Sequence, residues 1–298
     1  MLCKILVGLI FVIQIVSSDI LGLHQNDSDL HGFIIREMDS VPSYLKYNIS
    51  NIVKKGQKIN HYKNPDFFGE FGQGQVVDQL FKMKDKGFFI EVGAFDGEVW
   101  SNTLGLELFR FWTGILIEPN PDSYEQLLRK NRRVSSINTC LSTSKYVQKV
   151  DFDLVGPSSG IITNGTIKPG EAYHQKRLEI IAEYPEYQPK YPYDRRTITI
   201  NCIPLTAIIL AYGNPTIDYL SLDVEGAEFA VLQTIDFDLV NILVISVNVQ
   251  KLARFFPGNL DDLTNFMDAQ GYYLYLTHKQ DCVFIQKKRF FRELNKEL

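Results

Sequence analysis

The stretch Phe88-Phe89-Ile90-Glu91-Val92-Gly93-Ala94-Phe95-Asp96-Gly97 constrains this chain more than any other. An apolar run interrupted by one acid reads as a buried strand. The glycine, small residue and Asp-Gly pair after it read as a tight turn that opens a helix. Gly93 lets backbone approach a ligand closely, and Asp96-Gly97 permits a turn that most residues resist. At the carboxyl end of a parallel strand, Glu91 faces the crevice where α/β folds bind small molecules. A carboxylate there suits a cationic amino group or ribose hydroxyls and repels a pyrophosphate.

Periodicity extends this motif into a fold. Val76, Val77, Leu80, Phe81 and Met83 have helical spacing. After the strand over 88–92 come a helix over 102–111 and a strand over 113–117 that ends in Glu118-Pro119-Asn120-Pro121. Pro121 opens a further helix, and a third strand spans 134–140. This alternation predicts an α/β fold with a doubly wound, mostly parallel sheet. Residues 151–196, rich in Gly, Pro and Tyr, interrupt it with room for a short helix over 175–183. They read as an insertion over the crevice, either a lid or substrate-binding element or a surface excursion without function. The pattern resumes with a strand over 197–202, a helix from Pro204 to Tyr212, and a strand over 219–223 with a helix to 234. A strand over 242–249, a helix over 260–269 and an antiparallel hairpin of strands over 272–277 and 282–286 close it. The expected organisation is a signal peptide at 1–18, a polar lead segment at 19–74, the α/β domain at 75–288 and a tail at 289–298.

The start of the chain bears on compartment. Lys4, the apolar run from Ile5 to Val16 and the small residues Ser17 and Ser18 have the layout of a secretory signal peptide. The run is short of the roughly 20 apolar residues of a bilayer span. A membrane association is expected only if the signal stays uncleaved as an anchor. Asn26, Asn48 and Asn164 head N-x-S/T sequons, candidate glycan sites in a secreted or luminal protein. Besides Cys3 the chain has Cys140, Cys202 and Cys282, and no CxxC spacing points to zinc. Cys140 and Cys202, both at expected strand ends, are the favoured disulfide, with three buried thiols as the alternative. A net charge of −4 gives no reason to expect a nucleic-acid partner. The cluster Arg129-Lys130-Asn131-Arg132-Arg133 reads as a solvated helix face.

Three acids recur at the carboxyl ends of expected parallel strands: Glu91, Glu118 and Asp223. In a doubly wound sheet those ends line one crevice. Glu118 is placed to accept from both hydroxyls of a ribose. Glu91 and Asp96 are placed for the amino acid end of a cofactor, and Asp223 for the point where substrate and cofactor meet. Any one of these acids alone has a plainer reading as a cap of the following helix. The signatures of a dinucleotide fold (G-x-G-x-x-G), a P-loop, a G-x-S-x-G nucleophile and an H-E-x-x-H zinc site are all absent from the sequence.

The segments 89–98, Ser101-Asn102-Thr103, 114–121, Cys140-Leu141-Ser142 and Ile217-Asp218-Tyr219-Leu220-Ser221-Leu222-Asp223-Val224-Glu225-Gly226-Ala227-Glu228 resemble the FkbM-type methyltransferase family. The Ser-Asn-Thr and Cys-Leu-Ser segments resemble its animal branch, which includes the fly protein Star. The resemblance implies a class I methyltransferase-like Rossmann fold with a seven-stranded sheet, binding S-adenosyl-L-methionine and in several members methylating an oxygen. Carried across, Glu91, Gly93 and Asp96 meet the methionine end and Glu118 the ribose. Leu141 and Ser142 lie beside the adenine, and Ala94, Gly97, Ser101, Asn102, Pro119 and Asn120 complete the cofactor site. Asp223 and Glu225 face the reacting centre as candidate bases. The expected acceptor is a small molecule or glycan. The Star-like branch implies a second reading, a non-catalytic module in vesicle-mediated trafficking of a membrane-protein cargo. The resemblance departs at Asn248, where many members carry a Glu, since an amide cannot act as a base.

Overall fold

Strands that are apolar on both faces need cover on both faces, and the central strands of this chain are of that kind. The structure, a computed structural model, describes residues 53–55, 69, 71–163, 171, 174–175, 178, 195–253 and 256–294. The expected signal peptide and the three sequons lie outside those residues. In chain order the elements are β1 (Val53–Lys55), α1 (Gln73–Leu80), β2 (Phe88–Val92), α2 (Leu104–Arg110), β3 (Thr113–Ile117), α3 (Pro121–Lys130), β4 (Ser135–Ile137), β5 (Cys140–Leu141), β6 (Gln148–Leu154) and β7 (Gly160–Ile161). They continue with β8 (Arg196–Ile203), α4 (Leu205–Ala211), β9 (Ile217–Leu222), α5 (Glu228–Leu232), β10 (Ile242–Asn248), α6 (Leu260–Ala269), β11 (Tyr272–His278), β12 (Asp281–Gln286) and α7 (Arg289–Leu294).

The main sheet has the order β1-β4-β3-β2-β9-β10-β12-β11. Its five inner pairings from β4 to β10 and on to β12 are parallel except the last: β12 runs antiparallel to β10 and to β11, which makes the terminal hairpin. This is the class I methyltransferase arrangement of seven strands. An eighth strand, β1, lies within the expected lead segment and pairs antiparallel with β4. Side chains alternate across the sheet. Ile90, Val92, Ile115, Ile117, Leu220 and Ile245 pack on one face with Ile208 and Ile209 of α4 and Leu263 of α6. Phe89, Leu116, Tyr219 and Val244 pack on the other with Val77 of α1, Leu106 of α2 and Leu127 of α3.

Two expectations about strands need correction. The strand over 134–140 splits: β4 stays in the main sheet, whereas β5 leaves it for a second sheet ordered β5-β8-β6-β7. The strand over 197–202 does not rejoin the parallel sheet either, because β8 pairs with β5 and antiparallel with β6. Residues 148–161, which take in the first part of the expected insertion, form the β6–β7 hairpin of that second sheet. Cys140 faces Cys202 in the β5–β8 register, and the two are joined by the expected disulfide, with Cα atoms 4.4 Å apart. Cys282 is a free, buried thiol.

Candidate functional site

Chain order reverses direction in the sheet between β2 and β9, so their carboxyl ends flank the crevice of the fold. A cavity of about 250 Å³ opens there, lined by Glu91, Gly93, Glu118, Asp223 and Glu225 among others. Gly93 adopts a φ of +81°, and a Cβ on it would lie 2.0 Å from the Asp223 carbonyl oxygen. The two strand ends therefore close on each other only because position 93 has no side chain.

Glu91 is buried, and its oxygens accept from Ser101 Oγ at 2.8 Å, Asn102 N at 2.7 Å and Thr103 Oγ1 at 2.6 Å. Burial raises its pKa, while the Arg132 charge and these donors pull it back. Its carboxylate shapes the loop before α2 rather than reaching freely into the cavity. Arg132 completes that loop from behind. It donates to Glu107 Oε2 at 2.5 Å, to the Gly97 carbonyl at 2.7 Å and to Thr103 Oγ1 at 3.2 Å. The basic cluster read as a solvated face thus contains a buried guanidinium, because only a five-donor fork satisfies so many acceptors at once.

Glu118 follows β3 and lines the cavity. Its Oε2 accepts from Phe95 N and its Oε1 from Asn120 N, each at 2.8 Å. Burial pushes its pKa up to about 8 despite those two N–H donors, with the Asp223 and Asp96 charges adding to the rise. Asp223 follows β9. Burial raises its pKa, the Lys251 charge and an Asn248 hydrogen bond oppose that, and Asn248 Nδ2 donates to its Oδ2 at 3.2 Å. Glu225, with a φ of +60°, is ion-paired to Lys251 Nζ. Glu228 Oε1 accepts from Val224 N at 2.9 Å and Gly226 N at 3.1 Å, so it orients the loop that carries both candidate bases.

Residues 91–274 match the family model described as the methyltransferase FkbM domain. The chain belongs to the FkbM methyltransferase family. No curated protein matches the sequence, and the Star-like branch stands without support from any relative. Among solved structures the chain is similar to TrmK of M. capricolum in complex with S-adenosyl-homocysteine, at 10% identity and a TM-score of 0.33 over 72% of this chain and 68% of that one. It is also similar to the precorrin-6y C5,15-methyltransferase of Geobacter metallireducens, at 11% identity and a TM-score of 0.34 over 75% of this chain and 91% of that one.

In this FkbM protein S-adenosylmethionine is the cofactor, and the site fits it. The ionisable groups lining the cavity, among the described residues, are Glu91, Glu118, Asp223 and Glu225 against Lys251, an excess of acids that favours a ligand with a sulfonium and an ammonium group. Leu141, Phe152 and Ile161 add apolar lining that suits a flat base, and Cys140 of the disulfide lines the cavity as well.

Of the expected cofactor residues, Gly93, Ala94, Ser101, Asn102, Pro119 and Leu141 also line the cavity, whereas Asp96, Gly97, Asn120 and Ser142 do not. Each of the four has a local task instead. Asp96 Oδ1 accepts from Glu98 N at 3.0 Å and Val99 N at 2.8 Å, which holds the turn. Gly97 offers its carbonyl to Arg132. Asn120 is the N-cap of α3, accepting from Asp122 N at 3.0 Å. Ser142 Oγ donates to the Tyr146 carbonyl at 2.7 Å. Sequence reasoning missed Lys251, Trp100, Gln73 and the turn over 156–159, all on the cavity. Lys251 alone carried a signal, as a cation just past the end of an expected parallel strand.

Proposed function

We propose that this methyltransferase transfers the methyl group to an oxygen of a small molecule or glycan, in the lumen of the secretory pathway or outside the cell. When bound, S-adenosylmethionine supplies an already activated methyl group, so the protein has only to align an acceptor and take its proton. Glu118 accepts from the ribose hydroxyls, its carboxylate held in place by the Phe95 and Asn120 N–H groups. Leu141, Phe152 and Ile161 exclude water from the base. Asp223 is the proton acceptor. The observation that carries the reading is the place of that carboxylate: half-buried at the end of β9, on the cavity wall, held by the Asn248 amide, and with its pKa raised by desolvation. Asn248, which takes the place of a second acid, orients Asp223 by donating to it. Lys251 pairs with Glu225, and its charge also reaches Asp223, whose carboxylate accepts its hydrogen bond from Asn248. The compartment rests on the Cys140–Cys202 disulfide, a bond that persists in oxidising surroundings, together with the expected signal peptide.

Calorimetry with S-adenosylhomocysteine on the mature protein tests the cofactor site: saturable binding, lost in Glu118→Ala, is expected. A screen of hydroxyl acceptors with methyl-labelled cofactor tests the chemistry. Label transfer abolished by Asp223→Asn, with cofactor affinity retained, supports the assignment. Transfer that persists in Asp223→Asn removes the base, and label found only on nitrogen or carbon refutes the acceptor class.

A further inference from the structure

The mouth of the cavity carries an aromatic surface that the cofactor reading does not use. Trp100 lines the cavity and is 46% exposed, although a tryptophan is among the costliest side chains to leave in water. Its φ is +60° and that of Phe95 is +50°. Such left-handed backbone costs about 1–3 kcal/mol per non-glycine residue and persists where neighbours enforce it. Here the enforcement is visible. Arg132 holds the Gly97 carbonyl on one side of Trp100, and Glu91 holds Ser101 and Asn102 on the other. The Phe95 ring lies under the indole, with centroids 6.3 Å apart and planes 23° from parallel. The loop is tied toward the reacting end of the cavity, since Asn102 Nδ2 donates to Ser221 Oγ at 2.9 Å, two residues before Asp223.

Gln250 and Gln280 line the same cavity. Val249 N donates to the Gln280 carbonyl at 2.7 Å, so the two amides come from adjoining backbone, and Gln250 N bonds Asn248, the partner of Asp223. Among the described residues their side-chain amides have no hydrogen-bond partner. An amide offers both a donor and an acceptor, the match for a pair of vicinal hydroxyls. The acids of the cavity oppose an anionic acceptor.

A backed indole face, uncommitted amides and a negative field together describe a seat for a neutral carbohydrate. We propose that the methyl acceptor is a hydroxyl of a neutral sugar whose apolar C–H face stacks on Trp100 and whose other hydroxyls bond Gln250 and Gln280. This rests on the O-methyl reading and names the acceptor class for it. In the step, the acceptor oxygen forms a bond to the methyl carbon. The carbon–sulfur bond breaks with its electron pair staying on sulfur, and the hydroxyl proton passes to Asp223.

The test is binding of the protein, saturated with S-adenosylhomocysteine, to an array of neutral and sialylated glycans, followed by calorimetry with the best neutral glycan. Binding to neutral glycans is expected, weakened at least tenfold in Trp100→Ala and in the Gln250→Ala, Gln280→Ala double variant, and partly kept in Trp100→Phe. S-adenosylhomocysteine affinity stays within about twofold in all three. The chain has two tryptophans and Trp112 is buried, so a glycan-induced shift in exposed-indole emission reports on Trp100. Binding confined to sialylated glycans, no glycan binding by the cofactor-loaded protein, or full glycan affinity in Trp100→Ala overturns the proposal. Loss of cofactor affinity in Trp100→Ala also overturns it, by assigning the indole to the cofactor. Failure of the wild-type protein to bind S-adenosylhomocysteine refutes the cofactor site itself, which separates the two ideas.

Discussion

Gly93 and Asp223 meet so closely at the switch point of the sheet that a Cβ on the first would lie 2.0 Å from the carbonyl oxygen of the second. Any side chain at position 93 has to push β2 and β9 apart at the place where the cavity opens. Its left-handed φ alone costs a non-glycine residue about 1–2 kcal/mol. Gly93→Ala is therefore expected to lower stability in urea by more than that amount. S-adenosylhomocysteine affinity measured by calorimetry is expected to fall at least tenfold. An unchanged affinity would show that the closeness of the two strand ends does not matter to the ligand.

Arg132 and Glu107 form an ion pair that is out of water on both sides. Removing one partner leaves a buried charge without compensation, at a cost of about 3–5 kcal/mol. Arg132→Ala and Glu107→Ala are each expected to lose about that much in chemical denaturation. Arg132→Lys should recover little, because a point charge cannot serve Glu107, Gly97 and Thr103 together. The same variants should weaken cofactor binding, since Arg132 holds the loop over 97–103. Proteolysis of that loop in the variants is the second readout.

Burial raises Glu118 and Glu228 each to about 8 from the usual 4.5. A carboxyl whose pKa is higher folded than unfolded holds its proton more tightly in the native state. Its stabilising contribution is full below the unfolded pKa and is lost as pH rises through the folded one. The thermal midpoint of the ligand-free protein should then decline from about pH 5 to about pH 8.5, with a shallower decline in Glu118→Gln and in Glu228→Gln. Ribose hydroxyls donate best to an ionised carboxylate. Cofactor affinity is therefore expected to increase toward the same alkaline limit, and Glu118→Gln to remove that dependence. A thermal midpoint that rises across this range contradicts the assignment.

The Cys140–Cys202 bond closes a sequence separation of 62 and forms part of the cavity wall. The chain-entropy model gives a loop of that size about 4 kcal/mol of stabilisation. Cys140→Ser, Cys202→Ser or reduction of the bond should cost a large part of that in denaturant. S-adenosylhomocysteine affinity should drop with it, because β5 presents Leu141 beside Cys140. Reduction that leaves both quantities unchanged would assign the bond no role in the wall.

Much of the sheet is readable in the primary structure because its strands are buried on both faces and so appear as short apolar runs. The strands over 88–92 and 113–117 and the helix over 260–269 have the expected limits, since each is bounded by its own turn or capping residues. The strand over 197–202 reads equally well, but the sheet it joins does not. A β-branched run carries no label for its partner, and β8 pairs with β5 and β6 through contacts remote in sequence. The eighth strand escaped notice because three residues, Val53–Lys55, carry too little pattern.

The linear order of residues determined the alternation of strands and helices, and with it the convergence of Glu91, Glu118 and Asp223 on one crevice, because parallel strands present all their carboxyl ends on the same side. Tertiary structure alone decided which of those acids still has lone pairs to offer. Glu91 spends its oxygens on Ser101, Asn102 and Thr103, Glu225 meets Lys251, and Asp96 and Asn120 turn back to their own backbone. A hydrogen bond depends on a few tenths of an ångström and on groups brought together by folding, and neither distance nor direction is written in the spacing of residues along a chain.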